Sequence, residues 1–209
     1  MRPLLLSLLL LTAGCNLVEQ PTRMLPQVAT DWREIASATD RERLRGWRAT
    51  FVEAVGKARR ASNSADVDRD GVLLEPDAAL AGEAIPNGDY NCRVIKVGAK
   101  SEGMLNYIAY PAFRCRVTEM NGLQKFTKLS GSQRQVGILF PTDHLRQVFL
   151  GTLALGDEQG ALQYGVDETR NVAGYVERIG PQRWRLVMPR PHFESQLDVM
   201  ELVPLGTGV

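Results

Sequence analysis

Asp66-Val67-Asp68-Arg69-Asp70-Gly71 carries the sharpest chemistry in the chain. Alternate carboxylates that converge on one point can hold a hard cation, and a glycine permits the turn between them, as in the first half of an EF-hand calcium loop. Val72 would lend a main-chain carbonyl and Leu73 would fill the apolar position. The twelfth position is Asp77, where that loop wants a bidentate Glu. Pro76 stands where the exiting helix should begin, and there is no second copy to pair with. The incomplete pattern reads first as an acidic, solvated turn. Asp66, Asp68, Asp70 and Asp77 are the candidate calcium ligands, and no other cofactor is expected.

Catalytic constellations are sparse. The two histidines stand in turn-like surroundings, His144 in Pro141-Thr142-Asp143-His144 and His192 in a Pro-rich stretch that leads to Ser195. Neighbouring residues on a strand face opposite ways, so Asp143 and His144 do not make a dyad. Ser195 lacks a nucleophile-elbow context. Gly131-Ser132-Gln133-Arg134 lacks the spacing and following helix of a phosphate loop. No catalytic residue is assigned. Tyr175, Arg178, Arg183, Trp184 and Arg185 interleave cations with aromatic rings. Such a set suits a protein or carbohydrate contact surface, with Arg178, Arg183 and Arg185 as its candidates. The plainer alternative puts Trp184 in a core and pairs the arginines with water, Glu177 and Asp198.

These residues must be held by recognisable elements. Asp31-Trp32-Arg33-Glu34 and Thr39-Asp40-Arg41-Glu42 both have capping-box spacing, which predicts a short helix and then a longer one over 40–60. Leu44, Trp47, Phe51 and Val55 form one apolar stripe that should pack on its own domain. Residues 61–88 read as a connector. Strand candidates follow at Asp89–Val97, Leu105–Met120, Leu123–Leu129, Gln133–Phe140, Gln147–Leu155, Ala161–Tyr164, Val172–Ile179, Arg183–Met188 and Leu197–Val203. Asn121-Gly122 marks a tight hairpin. Val136, Ile138 and Phe140 share one face, as do Trp184, Leu186 and Met188. The expected fold is mainly β with an N-terminal helix (α+β). An antiparallel meander of about eight strands over 89–204 should close as a barrel or sandwich, with 31–204 one folded unit and 205–209 a tail.

Residues 1–14 read as a signal peptide, with Arg2, an apolar run from Leu4 to Leu11 and small residues Ala13 and Gly14. That run is far short of the ~20 residues of a membrane span. Arg2 is the sole charge before Cys15, so the chain beyond has equal numbers of basic and acidic side chains. That balance argues against a nucleic-acid partner and against a polybasic membrane surface. Leu11-Thr12-Ala13-Gly14-Cys15 resembles the bacterial lipobox, which implies lipidation of Cys15, with 15–30 as tether to the membrane. Asn16 leans this towards the outer membrane. Cys92 and Cys115 remain, 23 positions apart. In an oxidising compartment the pair should bridge, a loop worth roughly 3 kcal/mol. The alternative is two separate buried thiols.

The segments Gly88-Asp89-Tyr90-Asn91-Cys92-Arg93-Val94-Ile95-Lys96, Cys115-Arg116, Gly131-Ser132-Gln133-Arg134, Phe149-Leu150-Gly151, Arg178-Ile179-Gly180 and Arg183-Trp184-Arg185-Leu186-Val187 together resemble a family of Gram-negative envelope lipoproteins known as a domain of unknown function. The resemblance spans most of 30–204 and implies no activity. A looser likeness is to periplasmic β-barrel inhibitors of serralysin-type metalloproteases and of lysozyme, by architecture alone. Three functions are therefore weighed. The first is a lipid-anchored, non-catalytic periplasmic binding or inhibitor module with an envelope protein partner. The second is a lipocalin-like carrier, which needs a hollow barrel. The third is a hydrolase, which needs a histidine gathered with carboxylates.

Overall fold

The computed structural model describes residues 29–206. The expected signal segment, Cys15 and the tether up to residue 28 lie outside the described residues.

Nine strands form one antiparallel sheet: β1 (Gly88–Ala99), β2 (Tyr107–Ala109), β3 (Phe113–Met120), β4 (Leu123–Lys128), β5 (Gln133–Pro141), β6 (Arg146–Leu155), β7 (Asn171–Gly180), β8 (Arg183–Pro189) and β9 (Ser195–Pro204). From β3 onward each strand pairs with its successor. β9 then returns to β1 in register from Tyr90↔Pro204 to Ala99↔Ser195, which closes a barrel. β2 and β3 share the other side of β1, β3 along Gly88–Cys92 and β2 along Ile95–Val97. They act as one interrupted strand, so the barrel has eight positions. The sequence predicts a single strand over Leu105–Met120. Pro111 has no N–H to give a ladder, and the pairing breaks there. Ala161–Tyr164 is not a strand either. It lies in the long β6–β7 connection, where the Tyr164 hydroxyl donates to the buried Asp40.

The period of two sorts side chains between two cores. Tyr90, Phe126, Phe149, Trp184, Leu186 and Met200 point inward and pack with the Cys92–Cys115 disulfide. The interior is occupied by side chains and does not form the open chamber that a lipocalin-like carrier needs. Gly137 and Gly151 face each other across β5 and β6, where a Cβ on either would collide with main chain of the other strand. The ring of Phe149 covers both. The expected face of Ile138 and Phe140 points outward. The disulfide closes a loop of 23 residues. Replacing both Cys92 and Cys115 by Ala should therefore lower the unfolding free energy by about 3 kcal/mol in a urea titration. An unchanged midpoint would refute that contribution.

Among the described residues, four α-helices precede the barrel: α1 (Trp32–Ile35), α2 (Ala38–Arg45), α3 (Trp47–Ala58) and α4 (Ser64–Asp70). Asp31 caps α1, accepting from the Arg33 N–H at 2.9 Å. The second cap is Ser37, two residues before the expected Thr39. Its hydroxyl accepts from the Asp40 N–H and donates to the Asp40 carboxylate, both at 3.1 Å. Gly46 divides the expected long helix into α2 and α3. The expected connector is helical over its first part, with a kink at Ser62 (φ 69°) before α4 and a 3-10 turn at Gly71–Leu74 after it. The stripe of Trp47, Phe51 and Val55 packs on Ile95, Val97 and Val199, the outer face of β1 and β9. Leu44 packs with Phe140, Val148 and Ala173 on β5 to β7.

Candidate functional site

The acidic run does not form a cation loop. Asp66, Asp68 and Asp70 lie in α4, and Gly71 (φ 53°) ends that helix instead of turning a loop. Residues two apart on a helix do not face each other, so these carboxylates diverge. Each meets its own arginine. Arg69 reaches Asp66 at 2.9 Å, Arg59 reaches Asp68 at 2.6 Å and Arg93 reaches Asp70 at 2.6 Å. Arg48 holds Asp77 at 2.5 Å and keeps its carboxyl below the usual range. Asp70 is buried and also accepts from the Tyr107 hydroxyl at 2.7 Å. Among the described residues no group of three His, Cys, Asp or Glu side chains could hold a metal ion.

The three arginines expected to share a surface do not. Arg183 pairs with Glu201 at 2.6 Å on the outer wall. Arg178 donates to the carbonyl of Ala81, in the segment that crosses one end of the barrel. Arg185 is fully buried. It grips Glu177 through Nε at 2.8 Å and Nη2 at 2.7 Å, and donates to the carbonyls of Leu73 (2.9 Å), Glu75 (2.6 Å) and Pro76 (3.0 Å). It thereby fastens the chain after α4 to the barrel wall. His144 and His192 line separate crevices, His144 beside residues 82–85 and His192 beside Asp40 and Asn171.

The polar cluster that does assemble is at the opposite end, the mouth formed by the ends of β1 and β4 and the starts of β5 and β9. Inward positions that are apolar deeper in the barrel become polar there: Lys96 after Val94, Lys128 after Phe126, Gln135 before Leu139 and Asp198 before Met200. Lys96 Nζ is saturated, with Gln133 Oε1 at 3.2 Å, Glu194 at 3.0 Å and Asp198 at 3.3 Å. The Ser195 hydroxyl donates to Asp198. Burial works against the Lys96 charge, but Asp198 and Glu194 outweigh it and hold its pKa above the ordinary lysine value.

Lys128 differs. It is 4% exposed, and no carboxylate lies within ion-pair distance among the described residues. Its Nζ donates to the Gln133 carbonyl at 2.8 Å and sits 3.8 Å from the centre of the Phe113 ring. Burial pushes its pKa down to about 8, and Arg134 and Lys96 push the same way. Gln135, also 4% exposed, has a side-chain oxygen that accepts nothing. Both residues line a cavity of about 110 Å³ walled by Val94, Tyr110 and Phe113, which Ser132, Gln133 and the Lys96–Glu194–Asp198 ion cluster also line. These residues escaped the sequence reading. The available signal was a polar residue at an inward position of an otherwise apolar alternation.

The buried ammonium makes stability depend on pH. The folded chain holds the Lys128 proton less tightly than the unfolded chain, whose lysine titrates near 10.5. Charged Lys128 therefore penalises folding fully below pH 8, and the penalty fades as pH rises towards 10. Lys128→Met should raise the unfolding free energy at pH 7 by on the order of 2 kcal/mol, after allowance for solvent screening. By pH 10 the gain should have largely gone. Above that, Tyr90 and Tyr164, both pushed up to about 12 chiefly by burial, reverse the slope. Urea titrations of both proteins at pH 7 and 10 check this, and a gain that did not vary with pH would rule it out.

A protein-family model described as Domain of unknown function (DUF4893) matches residues 32–202, from the first helix into the last strand. Comparison with curated proteins found no match. Comparison with solved structures found none either.

Proposed function

We propose, for a chain that belongs to the Domain of unknown function (DUF4893) family, the role of an exported, lipid-anchored binding module that acts without catalysis in the bacterial envelope. The observation that carries the binding part is Lys128, a buried cation with no carboxylate paired to it among the described residues, in a cavity that opens at the barrel mouth and whose two carboxylates, Glu194 and Asp198, are held by Lys96. A group held at such a cost to stability is what a site for an anionic ligand group looks like. The occupant is an acidic group presented by an envelope partner, and the filled barrel serves as a rigid scaffold for the mouth. Anchoring rests on the lipobox-like Leu11-Thr12-Ala13-Gly14-Cys15. The acyl chains on Cys15 would hold the barrel at the periplasmic face of the outer membrane, with residues 16–30 as the tether.

Two measurements test the two halves. Radiolabelled palmitate should enter the wild-type chain in a Gram-negative host and be absent from Cys15→Ser, and incorporation into both would reject Cys15 as the anchor. Sodium acetate, compared with sodium chloride at equal ionic strength, should raise the Tm of the wild type by mass action. Lys128→Met should show no such shift. An equal shift in both proteins would remove the mouth from the proposal.

A further inference from the structure

We infer that the barrel mouth takes the free C-terminus of a peptide chain whose last residue is small. This inference rests on the anion-binding reading above and specifies its ligand. The cavity offers two unmet valences, and they are of opposite kind. An ammonium has three N–H groups to place. Lys96 places its three on Gln133, Glu194 and Asp198, whereas Lys128 has the Gln133 carbonyl and the face of Phe113. The Gln135 oxygen is a buried acceptor with no donor. A ligand that completes both carries an acceptor, best an anionic one to match the ammonium, beside a donor such as an N–H.

A carboxylate with nitrogen on the adjacent carbon has that form. It occurs in a free amino acid and at the end of a peptide, and the charges around the cavity separate the two. Glu194 and Asp198, which also line the cavity, are both taken up by Lys96, so the unbalanced charge there is that of Lys128, and Arg134 nearby adds positive potential that depresses it. A free amino acid would bring a second ammonium beside the unpaired Lys128, whereas a peptide brings a neutral amide N–H. Val94, Tyr110 and Phe113 supply an apolar wall for the last side chain, and a volume of about 110 Å³ limits it to a small one. Ser132 is exposed and Glu194 half-buried, so the preceding chain has a route to solvent.

The test uses the full-length lipidated protein in detergent, with apparent affinities taken from the concentration dependence of Tm. The probes are acetate, N-acetyl-alanine, alanine and N-acetyl-alanine amide. N-acetyl-alanine should bind roughly fivefold more tightly than acetate, from one added hydrogen bond and the methyl group. It should bind at least about tenfold more tightly than its amide, which lacks the charge that Lys128 seeks. Alanine should bind no better than acetate. In Gln135→Leu, acetate should keep its affinity and N-acetyl-alanine should lose its advantage. If acetate binds and N-acetyl-alanine binds no better, the mouth is a plain anion site and the inference falls alone. Alanine binding as tightly as N-acetyl-alanine would overturn it in favour of free amino acids. If neither acetate nor N-acetyl-alanine binds, the reading beneath it falls as well. The wild-type series carries the test even if Gln135→Leu fails to fold.

Discussion

Replacing Glu177 by Ala should destabilise the folded chain by about 3–5 kcal/mol, because it leaves a fully buried guanidinium without its counter-charge. Glu177 and Arg185 are register partners across β7 and β8, and both side chains are completely excluded from solvent. Burial draws the Arg185 pKa down from the ordinary arginine value, and Glu177 is the main influence opposing it. The same carboxylate accepts from Arg146 Nε at 2.5 Å, so two cations lose their partner at once. Equilibrium urea unfolding gives the magnitude. The paired change Glu177→Leu with Arg185→Met should recover most of the loss, since replacing both members by apolar groups removes the desolvation cost along with the attraction. It should not restore the grip on residues 73–76, whose carbonyls Arg185 holds. Amide exchange in that segment should then be faster than in the wild type. A Glu177→Ala protein within 1 kcal/mol of the wild type (roughly the value of a surface pair) would contradict this account.

Phe149→Ala should cost about 3–5 kcal/mol, at the upper end of what removing a buried aromatic does. The ring lies edge-on to Phe126 at 5.8 Å between centroids and covers the close approach of Gly137 and Gly151. Neither glycine can move in to refill the space, because their own main chains are already in contact there. The expected result is a dry cavity inside the barrel. Such cavities take up small apolar molecules. Benzene should therefore raise the Tm of Phe149→Ala and leave that of the wild type unchanged. Wild-type stabilisation by benzene would mean that the native barrel is hollow after all.

Much of the barrel was legible because its signals are local. Asn121-Gly122 adopts positive φ at both residues, and it joins β3 to β4 as the dipeptide suggests. The alternation of Trp184, Leu186 and Met188 with Arg183 and Arg185 holds in space. The disulfide joins Cys92 and Cys115. Misreadings arose where tertiary context decided. Asp66 to Gly71 has the composition of a turn, yet packing of Val67 against Leu73 and Phe51 makes it a helix. Arg185 looks like a surface residue in any one-dimensional pattern, because nothing local shows that residues 72–76 will roof it. The mouth is least legible of all. Lys96, Lys128, Gln135 and Asp198 come from four strands and become neighbours only when the barrel closes. Lys96 and Lys128 then read as two ordinary charges in strands with apolar neighbours.

That closure has a consequence for the order of assembly. Every other pairing in the barrel is between strands close in sequence, but β1 and β9 meet across roughly a hundred intervening positions. Loop-closure entropy makes such long-range contacts late and slow. Until β9 is available, β1 has a bare edge along its whole length, the arrangement most prone to pairing with another molecule. Helix α3 precedes β1 and packs on Ile95 and Val97 as well as on β9. A chain emerging N-terminus first thus brings the cover for the outer face of β1 before its partner strand exists. The helical layer then works as a built-in chaperone for the unfinished seam, guarding the face of β1 while its edge waits for β9.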